Sequence, residues 1–164
     1  MSNTVTQDEN SNRQFLSFTL GGEDYGVDIL RVQEIRGWED LRPLPDTPDY
    51  VKGVLDLRGN IVPIIDLRIR MSMSNVEYQP TTVIIVLSVI DENGKSQQVG
   101  AVVDAVSDVL DVKVEEIKKA PAIASKINDR YLKGMVSRDD RMVILLDVDL
   151  LFKANEIGVL DALN

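Results

Sequence analysis

The chain has 164 residues, 44% of them hydrophobic, with 18 basic and 27 acidic side chains and a net charge of −9. That length supports one domain, or two small lobes sharing an interface, and the negative charge opposes non-specific binding to nucleic acid or anionic lipid, both of which require positive potential. With no cysteine and no histidine, disulfides, thiolate nucleophiles, Ser/His/Asp triads and His- or Cys-ligated metal sites are excluded, which favours a binding protein over an enzyme.

Residues 1–13 are polar and without periodicity and are expected to be a disordered tail. They lack the basic-then-apolar order of a secretory signal, and no apolar run approaches the roughly 20 residues of a membrane span, so a soluble cytoplasmic protein is expected. Order is expected from Gln14. FLSFTL, the turn Gly21-Gly22, DYGVDI and VQEIRG read as short strands with turn signals between them. RPLPDTPDY has three prolines in nine residues and reads as a loop. GVLDL and IVPIIDL then form a hairpin across Arg58-Gly59-Asn60. TTVIIVLSVI is apolar at successive positions, as in a strand buried on both faces, and turns at Asn93-Gly94 into its partner SQQVGAVVDAVSDVL. EIKKAPAIASKINDR reads as a loop with one helical turn, and YLKGMVS and RMVILLDV form a last hairpin. From Asp149 the chain carries Leu150, Leu151, Ile157, Leu160 and Leu163 at spacings a helix places roughly on one side, and residues 153–164 are expected to be a helical tail, docked rather than partner-binding.

The two halves echo one another. YVKGVLDLRGNIVPIIDL aligns without a gap on YLKGMVSRDDRMVILLDV, placing Tyr50 on Tyr131, Gly53 on Gly134 and Asp66 on Asp147. Upstream, GVDILRVQEI matches GAVVDAVSDV more weakly, placing Gly26 on Gly100, Val32 on Val106, Glu34 on Asp108 and Ile35 on Val109. A duplicated unit of about five strands is expected, each copy rolled into a small barrel and the two packed across an apolar seam, the fold being mainly β. The assignment of strands to lobes stays open. Gly53 and Gly134 read as bulges or points of close backbone approach.

Arg58 is the sharpest candidate site residue. On a hairpin lip its guanidinium offers up to five donors in a plane, for a partner's carboxylates or carbonyls or for an internal salt bridge with Asp56, Glu34 or Asp66. Val32 and Glu34 lie two apart on a strand and share a face, although Val32 is also a good core residue. The acids Asp28, Glu34, Asp56, Asp66, Asp104 and Asp108 leave open a carboxylate-dependent hydrolase or ligand-binding double barrel. Asp139-Asp140 lacks the spacing and terminal glutamate of a calcium loop, and neither a metal nor a cofactor is expected.

DYGVDILRVQEIRG, LPDTPDYVKGVLDLRGNIVPIIDLR, GAVVDAVSDVL and DRMVILLDV, in that order from Gln14 to Phe152, resemble the CheW family of bacterial chemotaxis coupling proteins. The resemblance implies a non-enzymatic adaptor of two five-stranded barrels within residues 14–152. It would link the cytoplasmic hairpin tip of methyl-accepting chemoreceptors to the regulatory domain of the histidine kinase CheA at membrane-associated arrays, with CheW–CheW ring contacts also possible. It further implies a receptor-binding groove containing Val32, Glu34, Gly53 and Arg58, joined by Val83, Ile84, Gly100, Val106 and Val109, and a kinase-contacting loop with Lys118 and Ile123. One departure stands out, because Asp56 occupies the place where the family usually has Asn. A side-chain carboxylate there can accept a turn hydrogen bond but cannot donate one.

Overall fold

The computed structural model describes residues 12–74, 76–121 and 127–153. The strands are β1 (Asn12–Leu20), β2 (Glu23–Asp28), β3 (Val32–Gly37), β4 (Val51–Leu57), β5 (Asn60–Asp66), β6 (Val83–Ile90), β7 (Ser96–Val103), β8 (Ala105–Lys113), β9 (Leu132–Arg138) and β10 (Arg141–Leu146). Two one-turn helices, α1 (Leu67–Arg70) and α2 (Val148–Leu151), follow β5 and β10. Asp66 and Asp147, matched between the repeats, cap these helices by accepting from backbone N–H groups. Strand β1 begins two residues ahead of the expected start of order, with Asn12 opposite Lys113 and Arg13 opposite Val112. The tail expected to form a docked helix lies, beyond Lys153, outside the described residues.

The strands form two five-stranded sheets packed as two lobes, in the orders β8-β1-β2-β10-β9 and β3-β6-β7-β5-β4. Strands β1 and β2 of the first repeat therefore join the last three of the second, and β6 and β7 join the last three of the first. The repeats exchange their leading strands, which settles the assignment that the sequence leaves open. SQQVGAVVDAVSDVL is accordingly not one strand: it breaks at Asp104, where the chain crosses from one sheet to the other. The matching crossover in the first repeat is Ile29–Arg31, a 3₁₀ turn capped by the Asp28 side chain.

Three apolar clusters follow from this arrangement. The largest lies between the sheets and draws on both, with Phe18, Leu20 and Tyr25 from one and Ile65, Ile85 and Leu87 from the other, closed by Val148, Leu151 and Phe152. Burial of each such large side chain contributes about 2–3 kcal/mol, so the seam binds the lobes into one body. The smaller clusters fill the lobe interiors: Leu55, Val62, Ile64, Ile84, Val86 and Val102 in one, and Phe15, Val112, Val136, Val143 and Leu145 in the other. Strand β6 supplies two clusters at once, because Ile85 and Leu87 point to the seam and Ile84 and Val86 inward. Its unbroken apolar run has this cause.

Candidate binding surface

The β4–β5 hairpin pairs Leu57 with Asn60, leaving Arg58-Gly59 as a two-residue loop. Both loop residues have positive φ, 54° and 88°, the signature of a type I′ turn, whose twist matches the strands. Asp56 closes the turn by accepting the Gly59 N–H at 2.9 Å. Acceptance alone is needed there, so Asp in place of Asn leaves this turn bond intact. Arg58 itself is exposed, and among the described residues it makes no hydrogen bond or ion pair. None of the three acids considered as internal partners holds it. Asp56 is engaged in the turn, Glu34 lies 3.6 Å from Arg36, and Asp66 is buried against Arg68. Beside Arg58 on the same hairpin, Ile61 is half exposed.

Val32 opens β3 and Val106 follows Ala105 at the start of β8, the first strands after the two crossovers, and both pack half-buried on the seam cluster, as does Val83. Glu34 is half-buried, and Val109 is exposed. Ile84 and Gly100 are buried, and Ile84 belongs to a lobe interior. Glu34, Val86, Gly100, Ile64 and Gly53 are successive pairing partners in one row across all five strands of the sheet. Two glycines in that row let the sheet curl tightly. A Cβ on Gly100 would fall 2.4 Å from Ile64 Cδ1, and one on Gly53 would fall 2.3 Å from the Arg42 carbonyl oxygen. Gly53, at φ 142°, sits at a register shift in β4, where the adjacent Val54 bridges to Arg42 and draws the segment after β3 against the far edge of the sheet. Gly53 and Gly100 thus shape the lobe, while Arg58, Val109 and the rims of Val32 and Glu34 face outward. Lys118 is exposed and bridges to Met135, the same arrangement in the other lobe. Ile123 lies outside the described residues.

Exposed Ile35 and Ile61 are surface residues that sequence reading did not single out. The signal was present for Ile35, since the repeat match places it on Val109, and both are exposed. A polar network was missed as well. Arg68, buried, makes two bonds to the Asp66 carboxylate through Nε at 3.0 Å and Nη2 at 2.9 Å, and a third to Asp104 at 2.9 Å. Tyr78 donates to Asp66 at 2.7 Å and stacks on Trp38 with ring centroids 4.3 Å apart. Burial opposes the charge on Arg68, but the bonds to Asp66 and Asp104 outweigh it and hold the guanidinium more firmly protonated. Burial, reinforced by the bond to Asp66, likewise raises the Tyr78 phenol.

This network also bears on the hydrolase alternative. Asp66 and Asp104 do converge, yet Arg68 and Tyr78 engage both Asp66 oxygens, and Asp104 holds Arg68 with one oxygen and the Gly21 N–H with the other, at 2.8 Å. Carboxylates so occupied join the lobes rather than face a substrate.

Comparison with known proteins decides the matter. The family model of the CheW-like domain matches residues 14–156. The chain belongs to the CheW family. It is 46% identical over 153 residues to the chemotaxis protein CheW of Klebsiella aerogenes, covering 93% of this chain and 89% of that protein. With the chemotaxis protein CheW of Rhizobium meliloti it shares 38% identity over 156 residues, covering 95% and 97%. The crystal structure of the scaffolding protein TtCheW from Thermoanaerobacter tengcongensis superposes with a TM-score of 0.75 at 29% identity, covering 87% of this chain and 89% of that one. This CheW-family chain is therefore a non-enzymatic chemotaxis scaffold protein. Among the described residues no helix is long and apolar enough to cross a membrane.

Proposed function

We propose that the chain couples chemoreceptors to the kinase CheA in the cytoplasm, at receptor arrays, by holding both partners on one rigid two-lobed body. The receptor's helical hairpin tip binds along β3 and the β4–β5 hairpin. Arg58 donates to its carboxylates or exposed carbonyls, and Glu34, Val32 and Val109 contribute at the rim. Gly53, Val83, Ile84, Gly100 and Val106 act there through the shape of the surface. The regulatory domain of CheA binds elsewhere, at the surface that includes Lys118. Receptor state then biases the kinase through differential contacts, with no chemistry in this protein.

One observation carries the reading. Arg58 stands in solvent in a left-handed conformation that costs a non-glycine residue about 1–2 kcal/mol, with no bond inside the described chain to offset it. An arginine kept under those conditions has its use outside the molecule.

Titration calorimetry of the full chain against a receptor tip fragment, and separately against the CheA regulatory domain, tests the proposal. Wild type is expected to bind both, and Arg58→Glu, once shown to fold, to lose the receptor alone. If Arg58→Glu binds the receptor fragment as wild type does, the assignment of Arg58 fails; if the kinase domain alone binds wild type, the protein is a scaffold without a receptor site.

A further inference from the structure

Two residues beyond Glu34 on β3 stands an arginine whose donors are unspent. Glu34 and Arg36 pair across to Val86 and Ile84 of β6. Cross-strand partners share a face, so both charged side chains lie on the side that Val86 and Ile84 turn into the lobe interior. Continuing the weaker repeat match by one residue sets Arg36 on Leu110. Leu110 pairs with buried Phe15 and packs against the apolar cluster of its own lobe. Where one lobe lines its edge strand with leucine, the other has a guanidinium.

That guanidinium is loosely held. Nη1 lies 3.6 Å from Glu34 Oε1 and Nη2 lies 3.7 Å from Glu39 Oε2, close enough for Coulomb attraction but longer than a hydrogen bond. Nε is buried and has no hydrogen-bond partner among the described residues. Arg31 and Arg138, whose side chains are 25% and 27% exposed against 33% for Arg36, each donate three hydrogen bonds. Arg36 donates none among the described residues, and a half-buried arginine ordinarily finds acceptors.

The surrounding charge selects the kind of acceptor. Glu34 and Glu39 together outweigh the charge of Arg36, so a third carboxylate brought there would meet repulsion, whereas a neutral carbonyl oxygen would not. A helical hairpin offers such oxygens at its turn, where the last four carbonyls of its first helix have no partner within that helix. We propose that Arg36 is a further receptor-binding residue, donating to unpaired backbone carbonyls at the turn of the receptor hairpin while Arg58 takes a carboxylate. This rests on the receptor reading above and divides the recognition between two arginines of different surroundings.

Calorimetry of the full chain against the receptor tip fragment tests it, with melting temperature and binding to the CheA regulatory domain as controls on folding. Arg36→Ala is expected to weaken receptor binding about fivefold or more, equally at low and high ionic strength, whereas the loss in Arg58→Ala shrinks as salt screens it. Arg36→Lys keeps the charge and the aliphatic stem but not the planar fork, and is expected to bind about threefold or more weakly than wild type. The lysine variant carries the test should the alanine variant unfold. If wild type binds the fragment and the Arg36 variants bind it equally well, the proposal fails and the receptor reading stands; if wild type does not bind, both fall. Full recovery in Arg36→Lys, or a loss that disappears in salt, also overturns the proposal, because Arg36 is then only a counter-charge for Glu34 and Glu39.

Discussion

The β4–β5 and β9–β10 hairpins are the same object built with different chemistry. Each closes on a two-residue loop with positive φ at both positions, Arg58-Gly59 at 54° and 88° and Asp139-Asp140 at 49° and 64°. Each carries a left-handed glycine, Gly53 or Gly134, at which the strand meets the backbone of a preceding loop, Arg42 or Lys118. The charges at the tips are opposite. The same inversion occurs where the chain crosses between lobes: Arg68 after β5 binds Asp104, whereas Asp149 after β10 binds Arg31. Duplication has preserved the backbone because the shared seam depends on it, and has left polar positions free to diverge wherever a complementary partner changes too. Arg58 is the place where divergence installed a residue that its turn does not favour.

The largest break in this comparison is expected at the crossovers. Arg68→Ala strands the fully buried Asp66 carboxylate without its cation, for a loss of about 3–5 kcal/mol in urea unfolding. Arg31→Ala, at a pair whose side chains are 25% and 31% exposed, is expected to lose about 1 kcal/mol. Equal losses would mean that the two links carry similar weight despite their burial. The bulge glycines come next. Gly53→Ala places a methyl 2.3 Å from a carbonyl oxygen, and Gly134→Ala places one 2.7 Å from Lys118 O and Ile117 Cγ2. Both are expected to cost on the order of 1–3 kcal/mol, Gly53→Ala the more, as read from melting curves.

Much of this was legible beforehand. The ungapped match of Tyr50–Asp66 on Tyr131–Asp147 foretold two hairpins with equivalent bulges, because backbone geometry leaves its mark in Gly and turn residues; that the paired Asp66 and Asp147 cap helices was not read from it. The weaker match of Gly26 on Gly100 is also real: in the two parallel strand pairs Gly26 faces Leu145 and Gly100 faces Ile64. The exchange of leading strands left no such mark, since FLSFTL of β1 and VIIVLSVI of β6 are both apolar enough to pair with either set. Nor did the Arg68 network, whose four members are scattered between Asp66 and Asp104 and look like ordinary surface residues until folding buries Asp66 and Arg68 and brings Tyr78 and Asp104 against them. On the candidate surface, Arg58 was recognisable as a charge on a turn. That it makes no bond among the described residues was not, because this depends on where Asp56, Glu34 and Asp66 spend their own bonds.

A pH titration sharpens the contrast between the two crossovers. Burial raises the Asp149 carboxyl, but the hydrogen bonds from Arg31 and the Ile90 N–H and the nearby positive charge outweigh it, leaving the pKa below the usual carboxylate range. A folded-state pKa below the unfolded value, about 3.9, gives stability that is fully present above that value and lost as pH falls through the folded pKa. Asp149→Asn is therefore expected to lower stability by about 1 kcal/mol at pH 7 and to converge on wild type in acid. A difference that persists unchanged at pH 2–3 would show that shape, not charge, makes Asp149 matter.

The smallest effect is the most informative for function. Asn tolerates the left-handed region far better than Arg, so Arg58→Asn relieves the β4–β5 turn of conformational cost and removes no bond made within the described residues. Stability is expected to rise by up to about 1 kcal/mol. Binding of the receptor fragment is expected to fall at least tenfold, as for an arginine at the centre of an interface. The mirror substitution, Asp139→Arg, is expected to lose a similar amount of stability without creating a receptor site, because the surroundings of that tip differ. A gain in stability with a loss of binding is hard to obtain from a residue that serves the fold. Should Arg58→Asn destabilise the protein instead, the guanidinium would have to be at work inside the molecule, and the two hairpins would differ in charge for reasons unrelated to partners.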